Sequence, residues 1–184
     1  EDIAAPACFE IEDRLDELLD IPVFHDDQWG TAVITLAGVK NYCRLSERNM
    51  SELRIVINGA GAAGIRITEM LKASGAKQIT LCDSKGVVRA DRPDLSGKKK
   101  EHAVKTSAST VGEAMKDAHV FVGVSVADCI KEKDVQSMAS YPAIFAMANP
   151  DPEIKPAAVI AAMGGRPYVM ATGRSDYPNQ INNV

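Results

Sequence analysis

A glycine-rich segment carries the strongest chemical signal in the sequence. Gly59, Gly61 and Gly64 follow the apolar stretch Arg54–Asn58 with the spacing G-x-G-x-x-G, and a helical pattern begins directly after them. Such glycines permit a tight turn, close backbone approach to a pyrophosphate and close packing of helix on strand. A glycine turn without a ligand is the alternative, which this strand–glycine–helix order disfavours. The segment predicts a dinucleotide-binding loop made by Gly59, Ala60, Gly61, Ala62, Ala63 and Gly64.

Asp83 follows the next predicted strand, 19 residues after Gly64. A carboxylate at this position can accept hydrogen bonds from the adenosine ribose, which slightly favours NAD. Ser84 and Lys85 come next, and the run Lys98–Lys100 could fold back to contact the 2′-phosphate of NADP. A turn-forming role for Asp83 is the alternative. The expected cofactor is therefore NAD or NADP, with Asp83, Ser84 and Lys85 as contacts.

Two acidic pairs, Glu1-Asp2 and Asp26-Asp27, are separated by one predicted helix. Mg²⁺ and Mn²⁺ prefer oxygen ligands, so paired carboxylates could hold such an ion. Taken alone, each pair is weak evidence for a metal, because such a pair is usually a solvent-facing turn or a helix cap.

Polar side chains also follow several predicted strands. Ser125, Asn149, Asn182 and Asn183 lie in such segments, and in open α/β sheets the loops after the strands line the ligand crevice. Turn-forming asparagine is an equally good interpretation. His25, His102 and His119 share no spacing and are taken as structural, and Trp29 is taken as a packing residue.

The elements that must position these residues alternate between strands and helices. This order predicts an α/β, Rossmann-like, doubly wound and mostly parallel sheet with helices on both faces. Residues 25–30 are predicted as a polar turn, Thr31–Val39 as a helix buried between layers, and Gly86–Lys100 as a flexible surface loop. The predicted strands are Arg54–Asn58, Gln78–Cys82, His119–Val124, Ala143–Met147 and Tyr168–Ala171, and the other helices are 6–20, 62–74, 111–117, 133–140 and 155–163.

Composition limits the class of protein and the kinds of partner to expect. The chain has 184 residues, 46% hydrophobic and 25% charged, which is enough for one sizeable core. A formal charge of −4 gives no reason to expect nucleic acid. No apolar run approaches the ~20 residues of a membrane span. Four scattered cysteines indicate neither a zinc site nor a disulfide framework, so a cytoplasmic location is expected.

Taken together, the motifs resemble those of malic enzymes, the metal-dependent oxidative decarboxylases of L-malate, in their compact bacterial form. The Asp-Asp-Gln segment and the terminal Asn-Asn are more specific than the glycine pattern. The matching segments are Glu1-Asp2, Phe24–Ala32, Asn58–Gly64, Cys82–Gly86, Ala148–Pro150 and Ala171–Asn183.

The resemblance implies roles for individual residues. Glu1, Asp2 and Asp27 would coordinate Mg²⁺ or Mn²⁺, and Asp26 would orient the catalytic lysine. Asn149, Asn182 and Asn183 would contact malate, and the glycine loop and Asp83 would hold the dinucleotide. From their positions after predicted strands, Ser125 and Asn149 are also expected to contact the cofactor. The implied reaction passes a hydride from malate to the nicotinamide, and the resulting oxaloacetate loses CO₂ to give pyruvate.

The sequence departs from the family pattern in two respects. Trp29 stands where bacterial members usually have histidine, and the family's tyrosine and lysine acid/base residues belong to an N-terminal region that this chain lacks. We therefore expect residues 1–25 to be the edge of a substrate and metal domain and residues 26–184 to be the NAD(P)-binding domain. The isolated chain is expected to bind cofactor without efficient turnover, and the full-length parent to be a homo-oligomer.

Two other functions remain open on sequence grounds. One is a metal-independent NAD(P) dehydrogenase of a hydroxy or amino acid. The other is a non-catalytic nucleotide-binding module.

Overall fold

The computed structural model describes residues 3–181, in which a six-stranded sheet lies between two layers of helices. The strands lie in the order β3-β2-β1-β4-β5-β6, and every neighbouring pair is parallel except β2 with β3. This confirms the predicted Rossmann-like, mostly parallel sheet. The strands are β1 (Arg54–Asn58), β2 (Gln78–Asp83), β3 (Gly86–Val87), β4 (Val120–Gly123), β5 (Ala143–Ala146) and β6 (Val169–Thr172).

The last helix, α7, begins and ends at residues that suit helix termini. Pro156 occupies the first turn of the last helix, where its missing N–H costs nothing, and Gly164 ends that helix with φ 54°. The helices are α1 (Ala7–Leu18), α2 (Asp26–Ser46), α3 (Ala62–Ala73), α4 (Gly97–Glu101), α5 (Val111–Met115), α6 (Glu132–Gln136) and α7 (Pro156–Met163), with a 3₁₀ turn at Met50–Glu52. Among residues 3–181, no helix combines the length and apolar character needed to cross a membrane.

Alternating side chains of the central strand divide the core into two halves. Ile55 and Ile57 pack with α2 and α3 on one face, whereas Val56 packs on the other face with the side chains of α5, α6 and α7. Burial on both faces explains why the parallel strands have continuous apolar sequences.

Two predictions about α2 were wrong. Residues 26–30, predicted as a polar turn, form the start of the helix, because Asp26 and Asp27 complement the positive end of the helix dipole. The helix is also not buried all round. Its buried residues recur every three or four positions along one stripe, whereas Val33 is 54% exposed.

The predicted surface loop 86–100 is more ordered than expected. Gly86–Val87 forms the antiparallel edge strand β3, and the lysine run lies in α4 instead of an open loop. Lys98 reaches Glu69 at 3.6 Å, and Lys99 reaches Asp83 at 3.0 Å. Cation–carboxylate pairs made by residues far apart in sequence therefore hold this segment in place.

Candidate functional site

The glycine loop connects β1 to α3 at the carboxyl end of the sheet. Gly59 has φ 121°, which favours glycine, and a Cβ there would overlap the carbonyl oxygen of Val124. A Cβ on Gly64 would overlap the carbonyl oxygen of Gly59. A Cβ on Gly61, by contrast, would meet no atom within 4 Å. The outer two glycines are thus required by the fold, and Gly61 leaves open space at the start of α3.

Two cavities meet at this loop. The larger, about 730 Å³, is lined by residues 58–61, by Asp83–Gly86 and by Lys99. The smaller, about 330 Å³, is lined by Asp27, Gly61–Gly64, Ser125 and Asn149. Gly61 and Ser125 line both. The structure therefore brings together most of the described residues that the sequence singled out, although they come from five separate segments.

Asp83 lies at the end of β2 with only 9% of its side chain exposed. One carboxylate oxygen accepts hydrogen bonds from Arg92 and from the Lys85 amide, and the other accepts from Arg92 and Lys99, at 2.8–3.0 Å. Burial raises the pKa of this carboxyl, but the hydrogen bonds from Arg92 and Lys99 outweigh it and lower the pKa to about 2. Ser84 and Lys85 are exposed beside it.

Asp26 and Asp27 occupy the first turn of α2. The Asp27 side chain is 46% exposed and faces the smaller cavity, and His25 Nε2 lies 3.7 Å from its carboxylate. Within residues 3–181, no group of three or more histidine, cysteine, aspartate and glutamate side chains is placed to hold a metal ion. Asp27 fits one ligand position, and the other two implied ligands, Glu1 and Asp2, lie outside the described residues.

Asn149 follows β5 and is exposed at the rim of the smaller cavity. Asn182 and Asn183, the other predicted substrate contacts, lie outside the described residues. Nearby, Arg174 donates to the Pro150 carbonyl at 2.8 Å and pairs with Asp176 at 2.7 Å. The hydrogen bond from Arg174 to Pro150 joins the segment after β6 to the segment after β5.

Glu153 was missed by the sequence analysis. Its carboxylate accepts hydrogen bonds from the Ser125 amide at 2.9 Å and from the Ala148 amide at 3.1 Å. Asn58 donates to the Ser125 hydroxyl at 2.8 Å. Burial raises the pKa of Glu153, and the two amide hydrogen bonds oppose that rise. No motif marks this residue, since Ala148 is a local backbone partner in the same segment and Ser125 lies 28 positions away in sequence.

The N-terminal helix α1 buries a charged residue, Glu12, together with Cys8 and Phe9. Glu12 is buried and pairs with Arg66 of α3 at 3.0 Å, while Trp29 donates to Glu12 at 2.8 Å and lies 4.5 Å from the Arg66 guanidinium. The apolar residues Ile11, Leu15 and Leu18 remain exposed. Trp29 thus packs within this cluster, as predicted.

Comparisons with known proteins point to one family. Residues 29–184 match a family described as malic enzyme, NAD binding domain. The chain is 50% identical to a bifunctional malic/malolactic enzyme of Bacillus subtilis, covering all of this chain and 45% of the relative. It is 51% identical to an NADP-dependent malic enzyme of Rhizobium meliloti, covering 24% of that protein, and 47% identical to an NAD-dependent malic enzyme of Geobacillus stearothermophilus, covering 38%.

Solved structures agree with the sequence relatives. An NAD-dependent malic enzyme from Thermotoga maritima superimposes with a TM-score of 0.92 and 39% identity, over 99% of this chain and 49% of that one. A D-isomer-specific 2-hydroxyacid dehydrogenase from Lactobacillus delbrueckii shares the fold alone, at 16% identity and a TM-score of 0.58. The chain spans between about a quarter and a half of the length of these malic enzymes.

Proposed function

The chain belongs to the malic enzyme family and contains its NAD-binding domain, and from that premise we propose that it serves the oxidative decarboxylation of L-malate to pyruvate and CO₂. NAD or NADP accepts the hydride. In this proposal residues 26–184 are the nucleotide domain and residues 1–25 are the edge of the substrate and metal domain. The exposed apolar face of α1, formed by Ile11, Leu15 and Leu18, supports that division.

The observation that carries this proposal is the smaller cavity. Asp27, the glycine loop and Asn149 line the same space of about 330 Å³. A metal-dependent hydride transfer needs a cation ligand, a pyrophosphate-binding loop and a polar substrate contact within one small volume. Since these residues come from separate segments, their convergence supports a shared reaction centre.

Each residue has a defined task in the proposed reaction. The backbone at Gly61, at the start of α3, binds the pyrophosphate, and Ser125 contacts the dinucleotide beyond it. Asn149 orients malate, together with Asn182 and Asn183. When bound, the dinucleotide would supply the hydride acceptor and a divalent cation would supply a Lewis acid for the substrate oxygen.

The proposed metal site draws on residues that come before and after α1 in the sequence. Glu1, Asp2 and Asp27 are the proposed ligands of Mg²⁺ or Mn²⁺, and a half-exposed carboxylate beside the cavity suits Asp27 to that role. Asp26 is proposed to orient the catalytic lysine supplied by the rest of the parent protein. The homo-oligomeric state of that parent and its cytoplasmic location remain predictions.

The preference between NAD and NADP depends on the surroundings of Asp83. An aspartate at this position favours NAD when its oxygens are available to the ribose. Here four hydrogen bonds occupy both oxygens, and Lys85, Arg92 and Lys99 add positive charge. We propose that these cations, above all Lys99 on the cavity wall, make the 2′-phosphate of NADP acceptable.

Substitution of Asp27 in the full-length parent tests the function. Asp27→Asn is expected to lower malate-dependent reduction of NAD(P) at least about hundredfold with saturating Mn²⁺, because a neutral amide binds the cation poorly. Asp16→Asn, an exposed carboxylate on α1, is the control and is expected to keep wild-type activity.

Lys99→Gln is expected to shift preference from NADP towards NAD by about tenfold.

Other outcomes would favour the other functions. Wild-type activity in Asp27→Asn without any divalent cation would indicate a metal-independent dehydrogenase. Tight NAD(P) binding by the parent without malate-dependent reduction at any Mn²⁺ concentration would indicate a non-catalytic nucleotide-binding module.

A further inference from the structure

Glu153 is a buried carboxylate that the proposed reaction does not use. Its residue is 0% exposed, and its side-chain hydrogen bonds come from two backbone amides and the Ser125 hydroxyl. None of these donors carries a positive charge. Burying a carboxylate without a neighbouring cation costs free energy, so the presence of a buried glutamate here needs a physical explanation.

The fold makes room for this side chain next to β4. Gly123, the last residue of β4, lies directly against the Glu153 carboxyl group, and a Cβ on Gly123 would overlap it. The carboxylate therefore fills the space above a strand end that lacks a side chain. Glu153 belongs to the segment that follows β5, and its carboxylate bridges that segment to the one that follows β4.

The two amides that Glu153 accepts from lie next to the proposed ligand contacts. One belongs to Ser125 itself, and the other belongs to Ala148, the neighbour of Asn149. Asn58, the last residue of β1, extends the same network by its hydrogen bond to the Ser125 hydroxyl. We call these four residues, Asn58, Ser125, Ala148 and Glu153, the strand-end network. It joins the carboxyl ends of three neighbouring strands.

We propose that Glu153 is a positioning residue for the dinucleotide, fixing the segments after β4 and β5 so that Ser125 and Asn149 face the cavity together. Glu153 itself does not line either cavity that meets the glycine loop. Its effect passes through the backbone of Ser125 and Ala148. The inference rests on the proposed dinucleotide site.

Glu153→Gln in the full-length parent is the first test. The amide oxygen can still accept from one backbone N–H, but the NH₂ group then faces the other as a second donor. We expect the dissociation constants of NAD and NADP, measured by calorimetry without malate or metal, to rise about tenfold. Gly123→Ala, which displaces the carboxylate but keeps its charge, is expected to raise them similarly.

A stability-matched control separates positioning from general loss of structure. Leu53→Ala removes fully buried packing at the start of β1, at the opposite end of the sheet, and is expected to lower the urea midpoint without weakening binding. Because dinucleotide binding is the readout, all variants are compared at a temperature where circular dichroism shows them folded.

The outcomes are distinguishable from failure of the proposed function. If wild-type protein binds neither NAD nor NADP, the dinucleotide site itself is wrong and this inference fails with it. If wild-type protein binds and Glu153→Gln binds equally well, or if Leu53→Ala weakens binding as much at equal stability, only the positioning role is overturned.

Discussion

Gly61 and Gly64 lie three positions apart, yet an added methyl group would have different consequences at each. At Gly61 the methyl group would enter open space at the meeting point of the two cavities, and the residue's φ of −87° suits any amino acid. At Gly64 it would overlap the carbonyl oxygen of Gly59. The first glycine is therefore free to serve a ligand, and the second serves the fold.

The same substitution at both positions tests this distinction. Gly61→Ala is expected to change the free energy of unfolding by no more than about 1 kcal/mol while weakening dinucleotide binding about tenfold or more, because the methyl group blocks the pyrophosphate. Gly64→Ala is expected to cost about 3 kcal/mol through backbone displacement. Urea unfolding and calorimetric titration give the two quantities. Wild-type affinity in Gly61→Ala would contradict the placement of the phosphates.

Local patterns predicted the glycine loop but not its surroundings. The G-x-G-x-x-G loop could be predicted because its strand, glycines and helix follow each other directly in sequence. Glu153 gave no such signal, since Ser125 lies 28 positions away in sequence and becomes its neighbour only when β4 and β5 pair. Similarly, the sequence placed Asp83 at a strand end but could not show that Arg92 occupies both of its oxygens.

At the scale of elements, Arg66 connects three helices. This side chain is buried on α3 and reaches Glu12 of α1 at 3.0 Å and Gln28 of α2 at 2.7 Å. Since α3 also begins the dinucleotide loop, the same helix carries the loop at one end and holds α1 and α2 further along. The apolar pattern of α1 could not predict this docking, which depends on a buried ion pair.

Removing one partner of this pair is expected to cost more than removing both. Arg66→Met leaves Glu12 buried without its cation, and we expect the free energy of unfolding to fall by about 3 kcal/mol or more. The double variant Arg66→Met with Glu12→Leu is expected to recover a large part of that loss. Urea unfolding of Arg66→Met, Glu12→Leu and the double variant measures the coupling, and strict additivity of the two single substitutions would contradict it.

At the scale of the whole molecule, parallel pairing sets where the candidate residues meet. The five parallel strands all end at the same edge of the sheet, so the loops after β1, β2, β4 and β5 surround one crevice. The sequence predicted this class of sheet from alternating strands and helices. It did not predict β3, because a two-residue strand has too little pattern and exists only through its pairing with β2.

Because the crevice is built from most of the sheet, a bound dinucleotide is expected to stabilise the entire domain. At a ligand concentration of 100 times its dissociation constant, the gain in unfolding free energy is about 2.7 kcal/mol. Thermal unfolding with and without NADP measures it, and Gly61→Ala is the control, which at the same NADP concentration and about tenfold weaker affinity should keep only about half of the gain. An unchanged midpoint at saturating NAD and NADP would contradict a dinucleotide site in this domain.

The pairing of β1 with β4 also has a consequence for the order of events during folding. Asn58 and Ser125 touch across these strands although they are 67 positions apart in the chain. Closing so long a segment is slow compared with forming the local unit β1-α3-β2. A partly folded intermediate that contains only that unit has the glycine loop but lacks half of the crevice. We therefore expect nucleotide affinity to develop late in refolding. The fluorescence change of the bound nucleotide should appear when β4 pairs with β1, after the helical circular dichroism signal has recovered.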